Sequence, residues 1–278
     1  MVWTVGCALT FEVDDRSLLA LQVAPATSAG TLLEERLELT VADGRGQVSV
    51  VEVPAEHGGR FNVVTSDPGT LALTYTATLE RQSPPVTARP GGEALASREA
   101  IEGVRQSRYC PSDSLGGFAA TEFHDVVGEA ADVVASRVAS WVFERLAYVS
   151  GASDALDTAV DTLLAGSGVC RDYAHLTIAL CRALGVPARL AAVYAPGLSP
   201  MDFHAVAEVL TPAGWRVFDA TRLAPRTTLV RIATGRDATD TAFASTLRGS
   251  LELLGSDVHA STDVALPPDD HVEPVALA

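Results

Sequence analysis

Of the four cysteines in the chain, at positions 7, 110, 170 and 181, one has surroundings that suit a nucleophile. Gly166-Ser-Gly-Val-Cys170-Arg-Asp-Tyr-Ala-His175 sets a glycine-rich turn directly before Cys170. The residues that follow read as a helix: Val169, Tyr173, Leu176, Thr177, Leu180 and Leu184 recur at the spacing of one face, and Gly185 and Pro187 stand where a helix ends. Cys170 is therefore expected in the first helical turn. There, unpaired backbone N–H groups and the positive end of the helix dipole favour thiolate over thiol, and the same N–H groups can hold an oxyanion. Cys110 precedes a proline, which disfavours helix. Cys7 falls on the apolar face of an alternating segment, where a thiol packs as a small hydrophobe.

A cysteine nucleophile needs an imidazole within hydrogen-bond reach and a third group to hold that imidazole. His175 is nearest in sequence, but five residues of helix rotate it roughly 140° away from Cys170. Cys181 returns to nearly the same face, yet eleven residues of rise put it roughly 16 Å off, too far to share a disulfide or a metal. His204 is better placed. Thr211-Pro-Ala-Gly214 has proline second and glycine fourth, the preferences of a type I turn. Pairing Leu210 with Trp215 across that turn sets Val206 opposite Asp219. His204 and Asp219 then emerge on one face as diagonal neighbours, roughly 7 to 8 Å apart at the backbone and within side-chain reach. Asp219 ends a run, Trp215-Arg-Val-Phe218, that reads as buried, where a lone carboxylate is costly unless paired. Glu208 shares the face nearer the turn and reads as solvated or structural. Cys170, His204 and Asp219 are the candidate catalytic residues.

The elements that must position them fall into two patterns. Trp3, Val5, Cys7, Leu9, Phe11 and Val13 alternate with small or polar residues, the period of a half-buried strand. Strand-like runs follow at 18–23, 36–41, 47–53, 60–65 and 70–79, separated by turn residues at 43–46, 56–59 and 67–69. His57, in one of those turns, reads as solvated. Together these predict an N-terminal all-β domain over 1–106, an antiparallel sandwich or barrel, with the proline- and glycine-rich 84–92 as a linker or exposed loop. From about Thr121 the period becomes helical: an amphipathic face over 133–146, then a short helix over 156–164 capped by Ser153 or Asp154. Strands return at 188–194, 204–210 and 215–221. The prediction is an α+β chain with a catalytic core over 107–262 and a loose acidic tail over 263–278.

Composition narrows the function. The formal charge of −15 opposes nucleic acid and anionic membranes as partners. All 20 basic residues are arginine, which excludes a P-loop or Schiff-base lysine. No apolar run reaches membrane-span length, no signal peptide is recognisable, and the cysteines lack CxxC pairing, so a cytoplasmic protein is expected. No cofactor or metal is implied, a zinc site of Cys170, His204 and Asp219 being disfavoured by the predicted helix and hairpin. The oligomeric state is not encoded legibly.

Gly168-Val-Cys170-Arg-Asp-Tyr-Ala-His-Leu176, Leu184-Gly-Val-Pro-Ala-Arg189, His204 opening a strand, Phe218-Asp219-Ala-Thr221 and Gly235-Arg-Asp237 together resemble the bacterial transglutaminase-like superfamily, over roughly 107–243. The resemblance implies a papain-like core with a Cys170, His204, Asp219 triad, preceded by the β region often found with it. It also implies a peptide or protein substrate. Members include cross-linking enzymes, peptidases, amidases and proteins that have lost activity. Three positions depart from the family pattern: Arg171 stands for the common glutamine, Val206 for the usual tryptophan and Ala220 for a common proline. Hydrolysis of a peptide or side-chain amide through a thioester on Cys170 is the leading expectation. A true protein-glutamine transglutaminase and a non-catalytic binding module are the alternatives.

Overall fold

A computed structural model describes residues 1–42, 46–81 and 96–277. The predicted linker at 84–92 and most of the turn at 43–46 lie outside the described residues.

The alternating N-terminal segments form six strands: β1 (Val2–Val13), β2 (Ser17–Leu21), β3 (Thr31–Val41), β4 (Val48–Pro54), β5 (Arg60–Ser66) and β6 (Gly69–Glu80). The six apolar odd positions of β1, from Trp3 to Val13, are all at most 2% exposed. They face Leu19, Leu21 and Val64 of the opposing sheet, which is how strict alternation becomes the core of a sandwich.

Helices follow: α1 (Arg98–Gly103), α2 (Gly116–Glu122), α3 (Ala131–Arg145), then the two-residue strand β7 (Ala147–Tyr148), α4 (Ala159–Ala165), the two-residue strand β8 (Ser167–Gly168) and α5 (Cys170–Ala183). Helix α4 begins later than predicted. Its cap is Thr158, whose hydroxyl accepts from the Asp161 backbone N–H while the Asp161 carboxylate accepts from that of Thr158. A second sheet is built from β9 (Ala188–Tyr194), β10 (His204–Thr211), β11 (Gly214–Phe218) and β12 (Val230–Gly235), ordered β11-β10-β9-β12. Leu176, Ile178 and Leu180 of α5 pack onto one face of it through Leu190, Ala207 and Val209, and Val134, Val138 and Val142 of α3 complete that core.

The chain then forms α6 (Ala238–Thr241), β13 (Ala244–Arg248) and β14 (Leu251–Thr262). These last strands correct the predicted boundary of the core at 262. They return to the sandwich, whose sheets are ordered β14-β1-β6-β3 and β13-β2-β5-β4. β14 covers β1 along its length, from Trp3 opposite Thr262 to Val13 opposite Leu251, so β1 is not an open edge. Residues 251–257 are partly or fully exposed, and without a buried face they carry no alternation to read.

The tail is docked rather than loose. Arg226, 1% exposed, grips the Asp269 carboxylate through two nitrogens at 2.9 and 2.8 Å; Val275 bridges Val217 on the open edge of β11; Leu277 is buried. The predicted tail composition is acidic and proline-rich, but a buried arginine on the core supplies its anchor. Glu208 is fully buried between Arg189 and Arg231, at 2.9 and 2.7 Å, and is structural rather than solvated.

Candidate active site

Three local structures meet at Cys170. Helix α4 ends on Gly166 with φ 67, a left-handed conformation that favours glycine. Gly168 lies so close to Asp172 that a Cβ there would stand 2.7 Å from the Asp172 Cβ. The Asp172 carboxylate accepts the Val169 backbone N–H at 2.8 Å and so fixes the start of α5. Cys170 is thus the first helical residue, and it is the one cysteine that is not buried. Burial pushes the thiols of Cys7, Cys110 and Cys181 up to about 12.

The β10–β11 hairpin has the register read from its turn, with Leu210 opposite Trp215 and Ala207 opposite Phe218. Asp219 falls one residue past the end of β11. His204 Nε2 and Asp219 Oδ2 are 2.9 Å apart, with both side chains buried. The second carboxylate oxygen accepts both the backbone N–H and the hydroxyl of Thr221, at 2.9 and 2.7 Å. Burial disfavours a charged imidazole, but the charge and hydrogen bond of Asp219, with a smaller contribution from Cys170, push the His204 pKa up to about 10. Burial acts to raise the Asp219 pKa; the imidazolium and Thr221 outweigh it and lower that pKa. The other ring nitrogen of His204, Nδ1, is buried with no hydrogen-bond partner among the described residues. Cys170 Sγ lies 4.0 Å from the carbonyl oxygen of Phe203, the residue before His204. The structure therefore brings Cys170, His204 and Asp219 together. His175 stays apart on the buried flank of α5.

Two further residues have roles at the site that the sequence did not show. The first is Tyr148. β7 pairs in parallel with β8, with the Ala147 and Val149 N–H groups donating to the carbonyls of Gly166 and Gly168, so residue 148 lies beside the turn that feeds Cys170. Its phenol is held up to about 12, chiefly by burial and then by the Cys170 charge, while the Cys170 backbone N–H acts against the rise. A two-residue strand is too short to show periodicity, which is why Tyr148 was not foreseen. The second is Arg171. Its guanidinium donates to the Ser153 hydroxyl at 2.6 Å and the Asp154 carbonyl at 2.5 Å. Ser153 and Asp154, expected as helix caps, instead tie the loop after β7 to the start of α5. The other two departures pack: Val206 and Ala220 are both buried.

Fold and site define a cysteine-based enzyme of α+β architecture. Residues 127–220, which contain all three candidate catalytic residues, match the model of the transglutaminase-like superfamily. A candidate cysteine protease from Cytophaga hutchinsonii superposes with a TM-score of 0.82 at 32% identity, covering 98% of this chain and 94% of that one. An uncharacterized protein of Mycobacterium leprae is 30% identical over 115 residues, 37% of this chain and 40% of that protein. The match thus spans about two fifths of the length of that curated relative. The periplasmic domain of TgpA from Pseudomonas aeruginosa is similar at 19% identity and a TM-score of 0.39, over 79% of this chain and 90% of that one. The chain belongs to the transglutaminase-like superfamily.

Proposed function

We propose that the chain hydrolyses a peptide or side-chain amide through a thioester on Cys170, with a peptide or protein as substrate. The observation that carries this reading is the ring of His204: Asp219 holds it through Nε2, and Nδ1 is left unpaired in the field of Cys170. An Asp219-held imidazolium beside a thiol at a helix N-terminus favours a thiolate–imidazolium pair. The thiolate attacks the amide carbon, and the C=O electrons move onto oxygen. In this mechanism the Cys170 backbone N–H and the Tyr148 hydroxyl, which lie near each other, donate to that oxyanion. As the oxyanion collapses, the C–N bond breaks and His204 gives its proton to the leaving amine. Neutral His204 then takes a proton from water, whose oxygen attacks the thioester; the acid departs and the thiolate–imidazolium pair is restored.

Peptides containing glutamine, incubated with and without a primary amine and analysed by mass spectrometry, test this. Hydrolysis products that form at the same rate with and without the amine, and that vanish in Cys170→Ala, are expected. A peptide–amine adduct would make the enzyme a transglutaminase. A chain whose Cys170 also fails to react with a peptide aldehyde would be a binding module.

A further inference from the structure

Asp202 stands two residues before His204 and has no part in the triad. The residues on either side of it are anchored: Met201 packs against the sandwich core, and the Phe203 ring stacks on Phe243 with centroids 5.0 Å apart. Asp202, between them, is exposed. Its Oδ1 accepts the Phe203 backbone N–H at 2.7 Å, which holds the carboxylate against the backbone, and its second oxygen has no partner among the described residues.

That stretch of backbone borders the nucleophile. The Phe203 carbonyl oxygen lies 4.0 Å from Cys170 Sγ, so the bonded path through residue 203 keeps Asp202 Oδ1 at most about 11 Å from the sulfur. This is comparable with the roughly 8–10 Å over which a solvated charge acts in salt. The other carboxylates here are answered, Asp219 by His204 and Asp172 by Arg171. The cations are engaged elsewhere or weaker in effect. Arg171 is turned to Ser153, Asp154 and Asp172, and Arg222 stacks on Phe143 and donates to the Ser140 hydroxyl. Arg145, in the last turn of α3, is exposed and precedes Tyr148 by three residues. The charges that act most strongly on the Tyr148 hydroxyl are nonetheless those of Cys170, Asp202 and Asp219, in that order, and all three are negative.

We propose that Asp202 is a specificity-determining residue, whose carboxylate receives a lysine or arginine side chain of the substrate within one residue of the amide that Cys170 attacks. Successive residues of an extended peptide are roughly 3.5 Å apart, and a long basic side chain spans the remaining distance. A carboxylate held by its own backbone and otherwise open accepts an ammonium or guanidinium through charge-assisted hydrogen bonds, whereas an acidic side chain at the same place is repelled. This role rests on the thioester chemistry proposed for Cys170 and names the class of peptide that reaches it.

Two measurements test it, the first without turnover. Cys170 is modified by a trimethylammonium-bearing and by a sulfonate-bearing methanethiosulfonate, each rate being divided by that of the same reagent with 2-mercaptoethanol. Comparing the two reagents cancels the thiolate fraction, and Cys170→Ala identifies the modified thiol. The cationic reagent should be favoured about fivefold at low salt. Asp202→Asn keeps an acceptor for the Phe203 N–H and loses the charge; it should reduce that preference about threefold at an unchanged thermal unfolding midpoint. The second measurement is kcat/KM for glutamine peptides flanked on both sides by arginine, norleucine or glutamate. Arginine should exceed glutamate at least fivefold, with norleucine between, and Asp202→Asn should remove most of the difference. Equal rates for the two charged reagents, or a preference that Asp202→Asn leaves unchanged in either measurement, would overturn the role of Asp202 while the thioester reading stands. Peptides left uncleaved beside a clear, Asp202-dependent preference at the sulfur would overturn the hydrolytic reading and retain Asp202 as the group that selects cations.

Discussion

The chain contains two groupings of the same three residue types. In one, Cys170, His204 and Asp219 meet as described. In the other, Cys110, His175 and Asp237 lie close together in the core. Cys110 is fully buried, and its thiol donates to the backbone carbonyl of His175 at 3.5 Å. The His175 ring stacks on Tyr109 with centroids 5.2 Å apart, and its Nε2 accepts the Ala238 backbone N–H at 3.1 Å. The Asp237 carboxylate does not hold the ring. Its oxygens accept the backbone N–H groups of Tyr109 at 2.8 Å and Thr239 at 2.9 Å, tying an irregular loop to the start of α6. Burial, only partly opposed by Asp237, takes the His175 pKa down to about 3, whereas that of His204 rises to about 10. What separates the groupings is which groups the carboxylate faces. Directed at a ring nitrogen it sustains an imidazolium; directed at backbone N–H groups it is structural.

This contrast can be broken or sharpened by substitution. The largest effect is expected from Cys170→Ala, which should abolish turnover and remove the one cysteine that iodoacetamide labels at neutral pH, while Cys110→Ala keeps both. Asp219→Asn should lower kcat on the order of 10⁴-fold by losing the group that orients and charges His204. Asp237→Asn should leave kcat unchanged and lower stability by about 1–3 kcal/mol, read by urea unfolding, because it weakens buried acceptors. Tyr148→Phe should lower kcat about 10²-fold, the cost of one oxyanion donor, and leave the rate of Cys170 alkylation unaltered.

The smallest effects are in the pH dependence of stability, where the two histidines act in opposite directions. The raised pKa of His204 makes its charged form stabilising: the contribution is complete below the ordinary histidine value near 6.5 and is lost as pH rises through about 10. The lowered pKa of His175 makes its neutral form the stable one, so its contribution is complete above about 6.5 and declines as pH falls towards about 3. Urea unfolding across this range should show the alkaline decline reduced in His204→Ala and the acid decline reduced in His175→Phe. Identical profiles in the two variants would contradict the contrast.

Much of the site was legible because its parts are local. The 3.6-residue period placed Cys170 at a helix start, and a four-residue turn fixed the register that joins His204 to Asp219. Tyr148 and Arg171 were not legible, since their roles come from a parallel bridge two residues long and from a loop 17 or 18 residues away. In the fold, β1 to β6 could be read from their buried faces. Exposed β14 and the docked tail could not, because each is held by partners distant in sequence: β1 for the former, Arg226 and Val217 for the latter.

The return of β13 and β14 to the sandwich makes the catalytic core an insertion within another domain. During synthesis, β1 and β2 emerge more than 220 residues ahead of the strands that shield them, β14 opposite β1 and β13 opposite β2. Until then each leaves an unsatisfied row of backbone groups open to pairing with other chains. A cut at residue 106 therefore cannot release an intact sandwich, because the missing outer strands lie beyond the candidate active site in the sequence.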